Sequence, residues 1–335
     1  MAAVANVVPT AGNGPDIRRA DATLPVRVRR IAEEAPGIRS YELVGVDGGE
    51  LPAFSAGAHV DVHIPGPGGF VRPYSIASAP WERGRYLLGV QREEAGRGGS
   101  IAMHERVREG DELIIGTPRN QFALVPDTGH SVLVAGGIGI TPLLAMAREL
   151  AAGGRSFELH VCTRSPERTP FRAALAELGD AVRLHHDGGD PARGLDVQAL
   201  LDEQVGSDVY CCGPAGLMNA VRAATEAWPV GRVHFEAFQA APLPAGGEAF
   251  EVRLRSSGAC FTVPPDKTIL QVLRENGVGV PSSCEMGNCG TCLTGLVEGE
   301  ADHRDEILGP EERAANSMLL VCCSRAKSKV LVLDL

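Results

Sequence analysis

The sequence predicts a multidomain chain: an antiparallel β-barrel, a parallel-sheet α/β domain of nucleotide-binding type, and a small β-grasp unit. Three observations carry this reading. Residues 22–127 run as short strands punctuated by glycine and proline turns. Residues 128–235 alternate apolar strands with helices. Residues 250–335 give two strands, a helix, a cysteine-rich loop and further strands. Short alternating strands suit a sheet with one wet face, whereas buried strands separated by helices require a parallel sheet covered on both sides.

With 335 residues there is chain enough for three cores. The composition is 44% hydrophobic and 22% charged, ordinary for a soluble protein, with only 4% aromatic residues. No apolar run approaches the roughly 20 residues of a membrane span, so no membrane segment is expected. The N-terminus lacks the basic start and apolar h-region of a signal peptide. A formal charge of −10 argues against nucleic acid, which requires a basic face. Of nine cysteines, Cys162, Cys211, Cys212, Cys260 and Cys323 stand outside the main motif and read as reduced thiols rather than a disulfide framework. The expected location is cytoplasmic.

Residues 1–21, rich in Ala, Gly, Pro and Asn without periodicity, read as a flexible leader. The barrel follows. Val26-Arg-Val-Arg, Ser40-Tyr-Glu-Leu-Val, His59-Val-Asp-Val-His-Ile and Tyr86-Leu-Leu-Gly-Val supply strands, and Pro52-Ala-Phe-Ser-Ala-Gly57 and Ile64-Pro-Gly-Pro-Gly-Gly69 supply turns. Two pieces of this unit carry chemistry. In Arg72-Pro-Tyr74-Ser75, running on to Ser78, an arginine offers a fork for phosphate, a tyrosine an aromatic face and a serine a hydroxyl. In Gly96-Arg97-Gly98-Gly99-Ser100 a glycine-rich turn opens a short helix, a ready anion site.

In the α/β unit, Ser131-Val-Leu-Val-Ala135 reads as a buried strand, followed by Gly136-Gly137-Ile-Gly139-Ile-Thr141-Pro142 and a helix over 143–152. Thr141 is the expected N-cap, with Pro142 at the first helical position. Strands are expected at 157–162, 181–185 and 208–212, with helices at 170–178 and 197–201. The glycine loop departs from G-x-G-x-x-G, since Pro142 stands where the third small residue would, and no acid follows the second strand. Arg164 and Arg168 there leave a 2′-phosphate open beside an unphosphorylated ribose. Cys211-Cys212-Gly213-Pro214 closes a later strand and could approach a planar ring with little side-chain obstruction.

Residues 236–249 lose periodicity, gain Pro and Gly, and read as a linker. The last unit holds Cys284-Glu-Met-Gly-Asn-Cys289-Gly-Thr-Cys292, answered downstream by Cys322 or its neighbour Cys323. C-x4-C-x2-C with one distant cysteine is the plant-type [2Fe–2S] spacing. Zinc more often takes two C-x2-C pairs or mixed Cys and His, and one such pair is present. Gly287 and Gly290 let the loop curl. Glu285, Glu298, Glu300, Asp302, Asp305 and Glu306 against one base, Arg304, predict either a negative docking surface or ordinary solvated acids.

The order of motifs resembles the phthalate dioxygenase reductase and vanillate O-demethylase reductase family over about residues 24–335. Arg72-Pro-Tyr-Ser, Gly-Arg-Gly-Gly-Ser100, Gly136-Gly-Ile-Gly-Ile-Thr-Pro142, Cys162-Thr-Arg-Ser-Pro, Cys212-Gly-Pro, Pro281-Ser-Ser-Cys284, Asp302-His-Arg-Asp305 and Cys322-Cys-Ser-Arg-Ala326 carry the likeness. The resemblance implies an FMN-binding barrel at 22–127, a ferredoxin-reductase-like NAD domain at 128–235 and a plant-type ferredoxin domain at 250–335. Arg72, Gly98, Gly99 and Ser100 would hold the FMN phosphate, with Tyr74 and Ser75 facing the ring. NADH would lie along Gly137, Gly139 and Thr141, with Cys212, Gly213 and Pro214 near the nicotinamide and Ser75 and Cys212 as the catalytic pair. Cys284, Cys289, Cys292 and Cys322 would hold the cluster. The implied activity is electron delivery from NADH through FMN and [2Fe–2S] to the oxygenase component of a Rieske-type system, aromatic-ring hydroxylating or O-demethylating. A cytochrome P450 is the alternative acceptor.

Overall fold

A computed structural model describes residues 22–66, 69–96, 98–126, 129–229, 231–238, 248–282, 285, 287, 290–305 and 307–335. The leader 1–21, linker residues 239–247, Arg97, Glu306 and the cluster cysteines Cys284 and Cys289 lie outside the described residues.

The barrel is built from β1 (Thr23–Ala35), β2 (Ile38–Gly45), β3 (His59–Ile64), β4 (Phe70–Ser75), β5 (Tyr86–Gln91) and β6 (Glu112–Gly116). The sheet is antiparallel in the order β4-β3-β6-β1-β2-β5, and Ile76, just past β4, bridges Leu88 of β5 to bring the two edges together. Alternation places Val26, Val28, Tyr41, Leu43, Val60, Val62, Leu88 and Ile115 inside. The short helix α1 (Gly99–Arg106) plugs one end: Met103 is buried in this core, and its carbonyl accepts the Tyr41 hydroxyl at 3.0 Å. Strand β6 was not anticipated. Only five residues long, its alternation is legible once β1 is seen to pair with it.

In the α/β unit, β7 (His130–Gly136), β8 (Ser156–Thr163), β9 (Val182–His186), β10 (Asp208–Cys212) and β11 (Val233–Glu236) form a parallel sheet ordered β11-β10-β7-β8-β9. The chain moves outward one way from β7, then returns to build the other side, which leaves a switch point between β7 and β10. Helix α2 (Ile140–Ala152) covers one face through Leu143, Leu144 and Met146, while α4 (Val197–Asp202) and α5 (Ala215–Ala224) cover the other. The small α3 (Arg172–Glu177) adds Leu175 to the first of these cores. Thr141 is not the N-cap. A 3-10 turn at Gly137–Gly139 runs straight into α2, and the Thr141 hydroxyl donates to the Ile138 carbonyl at 3.0 Å. Strand β11 also extends to Glu236, the first residue of the stretch read as linker.

The C-terminal unit has β12 (Phe250–Leu254), β13 (Cys260–Val263), α6 (Ile269–Glu275), β14 (Leu293–Glu298), β15 (Ala301–Asp302), α7 (Pro310–Ala315), β16 (Met318–Leu320), β17 (Arg325–Ala326) and β18 (Val330–Leu333). The main sheet runs β13-β12-β18-β14-β16, with β12 and β18 parallel, and the pair β15 and β17 stands apart. Thr268 and Gln271 cap α6 reciprocally.

Barrel and α/β unit share a core. Ala56, Ala77 and Phe122 pack with α2, and the Ala56 amide donates to Glu149 at 3.1 Å. Gly57 sits in this seam at φ +90°, where a Cβ would lie 1.9 Å from the Phe122 carbonyl oxygen and 2.9 Å from Met146 Cε. Gly57→Ala is therefore expected to cost roughly 2–4 kcal/mol, because backbone cannot give way as a side chain can. A urea melt of the two proteins checks this, and an unchanged midpoint would refute it.

Candidate functional site

Strand β4 is an edge strand paired with β3, which is why Pro73 is tolerated within it. Its last residue, Ser75, is buried and donates its hydroxyl to Glu236 Oε2 at 3.3 Å. Glu236 ends β11, directly opposite Cys212 in the register of β10 and β11. The sequence-predicted Ser75 and Cys212 are thus brought together through an acid that the sequence reading left in the linker. A single acid closing the run Val233-His-Phe-Glu236 was the available signal.

Loss of water pushes the Glu236 carboxyl up to about 8 against the opposing Ser75 hydrogen bond. Burial, with the Glu236 carboxylate adding to it, holds the Cys212 thiol well above its ordinary value. Tyr74, on the same strand, is likewise raised by burial.

The loops after β7 and β10 pack back to back. A Cβ on Gly139 would lie 2.2 Å from the Cys212 carbonyl oxygen, and one on Gly136 would lie 2.5 Å from Pro214 Cδ. A Cβ on Gly213 would lie 2.9 Å from Gly136 Cα. These glycines are required by the contact between the loops themselves. Gly137 differs: it holds φ +54° and faces open space. Thr141 is buried, and its methyl would stand 2.6 Å from a Cβ on Gly89 of β5.

Arg72 lies across the turn that starts α1, with Gly99 leaving room: a Cβ there would come 2.8 Å from Arg72 Cγ. Gly98 takes φ +81°, and α1 has neither a side-chain cap nor an acid in its first turn. A guanidinium beside uncapped helix amides fits the phosphate of a flavin nucleotide. The Ser100 hydroxyl accepts the Glu93 amide at 3.0 Å and so braces this turn.

In the C-terminal unit, Cys292 and Cys322 are buried. Their sulfurs are close enough that Cys292, then Cys323 and burial, hold the Cys322 thiol far above its ordinary value. Clustered sulfurs suit a cationic partner, which supplies the missing charge. Gly287 and Gly290 hold φ +87° and +73°, and a Cβ on Gly287 would meet Cys323 Sγ at 2.7 Å. This cradle fits an iron–sulfur cluster. The expected negative surface is smaller than the count of acids suggested. Asp305 is buried and accepts the Leu308 amide at 2.8 Å, and Asp302 pairs with Arg304 at 2.6 Å. Glu298 and Glu300 remain exposed. No helix among the described residues is long and apolar enough to cross a membrane.

The pattern of the 2Fe-2S iron-sulfur cluster binding domain family matches residues 252–327. The chain is 48% identical over 307 residues to the vanillate O-demethylase oxidoreductase of Pseudomonas sp. (strain HR199 / DSM 7063), covering 90% of this chain and 96% of that one. It is 46% identical over 327 residues to the reductase subunit of a tert-butanol monooxygenase / tert-amyl alcohol desaturase from Aquincola tertiaricarbonis, with 93% and 96% covered. The solved phthalate dioxygenase reductase superposes with a TM-score of 0.75 at 45% identity, covering 93% of this chain and 98% of that one.

The Glu236 carboxyl has a consequence for stability. In the unfolded chain it titrates near 4.5 and in the fold near 8, so between these values the native state holds a proton that the unfolded state releases. Its contribution is complete below pH 4.5 and is lost as pH rises through 8. Glu236→Gln should remove a pH-dependent loss on the order of a few kcal/mol. Urea melts at pH 6 and pH 9 check this: the wild type should lose more stability than the variant, and equal losses would contradict it.

Proposed function

The chain belongs to the phthalate dioxygenase reductase and vanillate O-demethylase reductase family, and on that premise we propose that it is the reductase component of a two-component Rieske-type oxygenase system. It takes hydride from NADH onto FMN and passes single electrons through a [2Fe–2S] cluster to the oxygenase, which carries the aromatic-ring hydroxylating or O-demethylating chemistry. The observation that carries this reading is the position of β4: Ser75 meets Cys212 and Glu236 of the α/β unit, while Arg72 approaches Glu285 of the cluster loop at 3.8 Å. One strand therefore touches both the donor side and the acceptor side.

Bound flavin and cluster supply the conversion of a two-electron hydride into single electrons. The protein binds and orients. Arg72 and the α1 amides, with Gly98, Gly99 and Ser100 shaping the turn, hold the flavin phosphate. Tyr74 and Ser75 face the ring. Gly137 gives the dinucleotide its approach, Gly139 and Thr141 keep the loop and helix in place, and Gly213 and Pro214 set the second loop. Cys212 offers a protonated, neutral sulfur at the nicotinamide. A proton held on Glu236 lies within reach of Ser75 Oγ. Cys284, Cys289, Cys292 and Cys322 hold the cluster. On this reading the folded units are 22–127, 128–235 extended by Glu236 of β11, and 250–335, joined by the remainder of the 236–249 stretch, and the protein works in the cytoplasm.

Cys289→Ser separates the two halves of the path. Under anaerobic NADH titration the variant should bleach the flavin band as the wild type does, while its cytochrome c reduction falls by about a hundredfold. One-electron output at the wild-type rate would refute the order NADH, FMN, cluster.

A further inference from the structure

Arg72 stands beside a carboxylate. Its guanidinium, mostly buried, stands 3.8 Å from Glu285 Oε1. On the reading above it also takes the flavin phosphate. Glu285 is an unusual residue. It sits beside Cys284 at φ +55°, a left-handed conformation that non-glycine residues rarely adopt and that costs about 1 kcal/mol or more. Its side chain is only 8% exposed. Two arginines from different units converge on it: Arg72 of the barrel, and Arg274 of α6, whose Nη2 donates at 2.9 Å. Arg274 also donates to Ser282 at 2.9 Å, tying the start of the cluster loop to its own domain. A second contact crosses the same boundary, from Arg119 of the barrel to Thr291 Oγ1 at 3.4 Å.

We propose that Glu285 is a positioning residue: it seats the cluster loop against the flavin edge of the barrel by sharing Arg72 with the FMN phosphate. This rests on Arg72 being the phosphate's arginine. A carboxylate and a phosphate on one guanidinium repel each other, so each weakens the other's hold. Cofactor occupancy and seating of the ferredoxin domain are then coupled, and the coupling is reciprocal. Arg274 makes the arrangement tolerable, because Glu285 keeps a cation when Arg72 turns to phosphate.

The test is flavin binding by flavin-depleted, full-length protein with its cluster intact, followed by quenching of flavin fluorescence. FMN and riboflavin are compared, since only FMN carries phosphate. Glu285→Gln should tighten FMN roughly tenfold, as expected for removing one charge a few ångströms from a phosphate, and leave riboflavin unchanged. Glu285→Asp, which keeps the charge, should restore most of the wild-type affinity. Arg72→Ala should weaken FMN alone. If Arg72→Ala weakens FMN while Glu285→Gln leaves it unaltered, or shifts both ligands equally, the sharing is overturned and the phosphate reading stands. If Arg72→Ala leaves FMN affinity at the wild-type value, the phosphate reading fails and the proposal falls with it.

Discussion

Strand β4 has one hydrogen-bonded neighbour strand, and the site depends on that one-sidedness. A central strand would bury both edges in ladder bonds and leave no backbone group for other units to meet. As an edge strand, β4 accepts Pro73, sends Ser75 to the end of β11 and sets Arg72 beside the cluster loop. The barrel core of Val60, Val62, Ile64 and Ile115 fixes its partner β3, so β4 is rigid even though it is an edge. Three units of different architecture are therefore referenced to one short element.

Close approach of backbone governs the donor side. The loops after β7 and β10 touch through Gly136, Gly139 and Gly213, with no room for a methyl at any of the three. Two parallel strands lie about 4.8 Å apart, and loops leaving adjacent strands can remain that close only when side chains are absent. The result is a close-packed wall ending in Cys212. Burial pushes the Glu236 carboxyl up to about 8 and holds the Cys212 thiol well above its ordinary value.

Much of this was legible from local pattern. The strands of the barrel alternate, β7 is apolar from Val132 to Gly136, and the cysteine spacing follows from the geometry of one loop wrapping a cluster. What was not legible depends on partners distant in sequence. Glu236 reads as the first polar residue of a linker until its register opposite Cys212 is known. Strand β6 is a five-residue run whose meaning comes from β1. Thr141 looks like a cap by every local rule, yet the 3-10 turn before it, packed against the Cys212 loop, moves the helix start and turns the hydroxyl back onto Ile138. The acids near the cluster mislead for a related reason. A count of charges cannot distinguish Asp305, which caps backbone amides in the interior, from Glu300 at the surface.

The spacing along β4 also bears on how electrons leave. Arg72 and Ser75 are three residues apart, roughly 10 Å along an extended strand. On the proposed reading Arg72 would hold the phosphate end of the flavin and Ser75 would meet its ring, with Cys212 and Glu236 beside Ser75 and Glu285 beside Arg72. The ferredoxin unit meets the barrel through polar contacts that include Arg72 to Glu285 and Arg119 to Thr291. Polar contacts of this kind loosen with small changes in charge, whereas the barrel and α/β unit share an apolar core through Ala56, Phe122 and Met146 that does not.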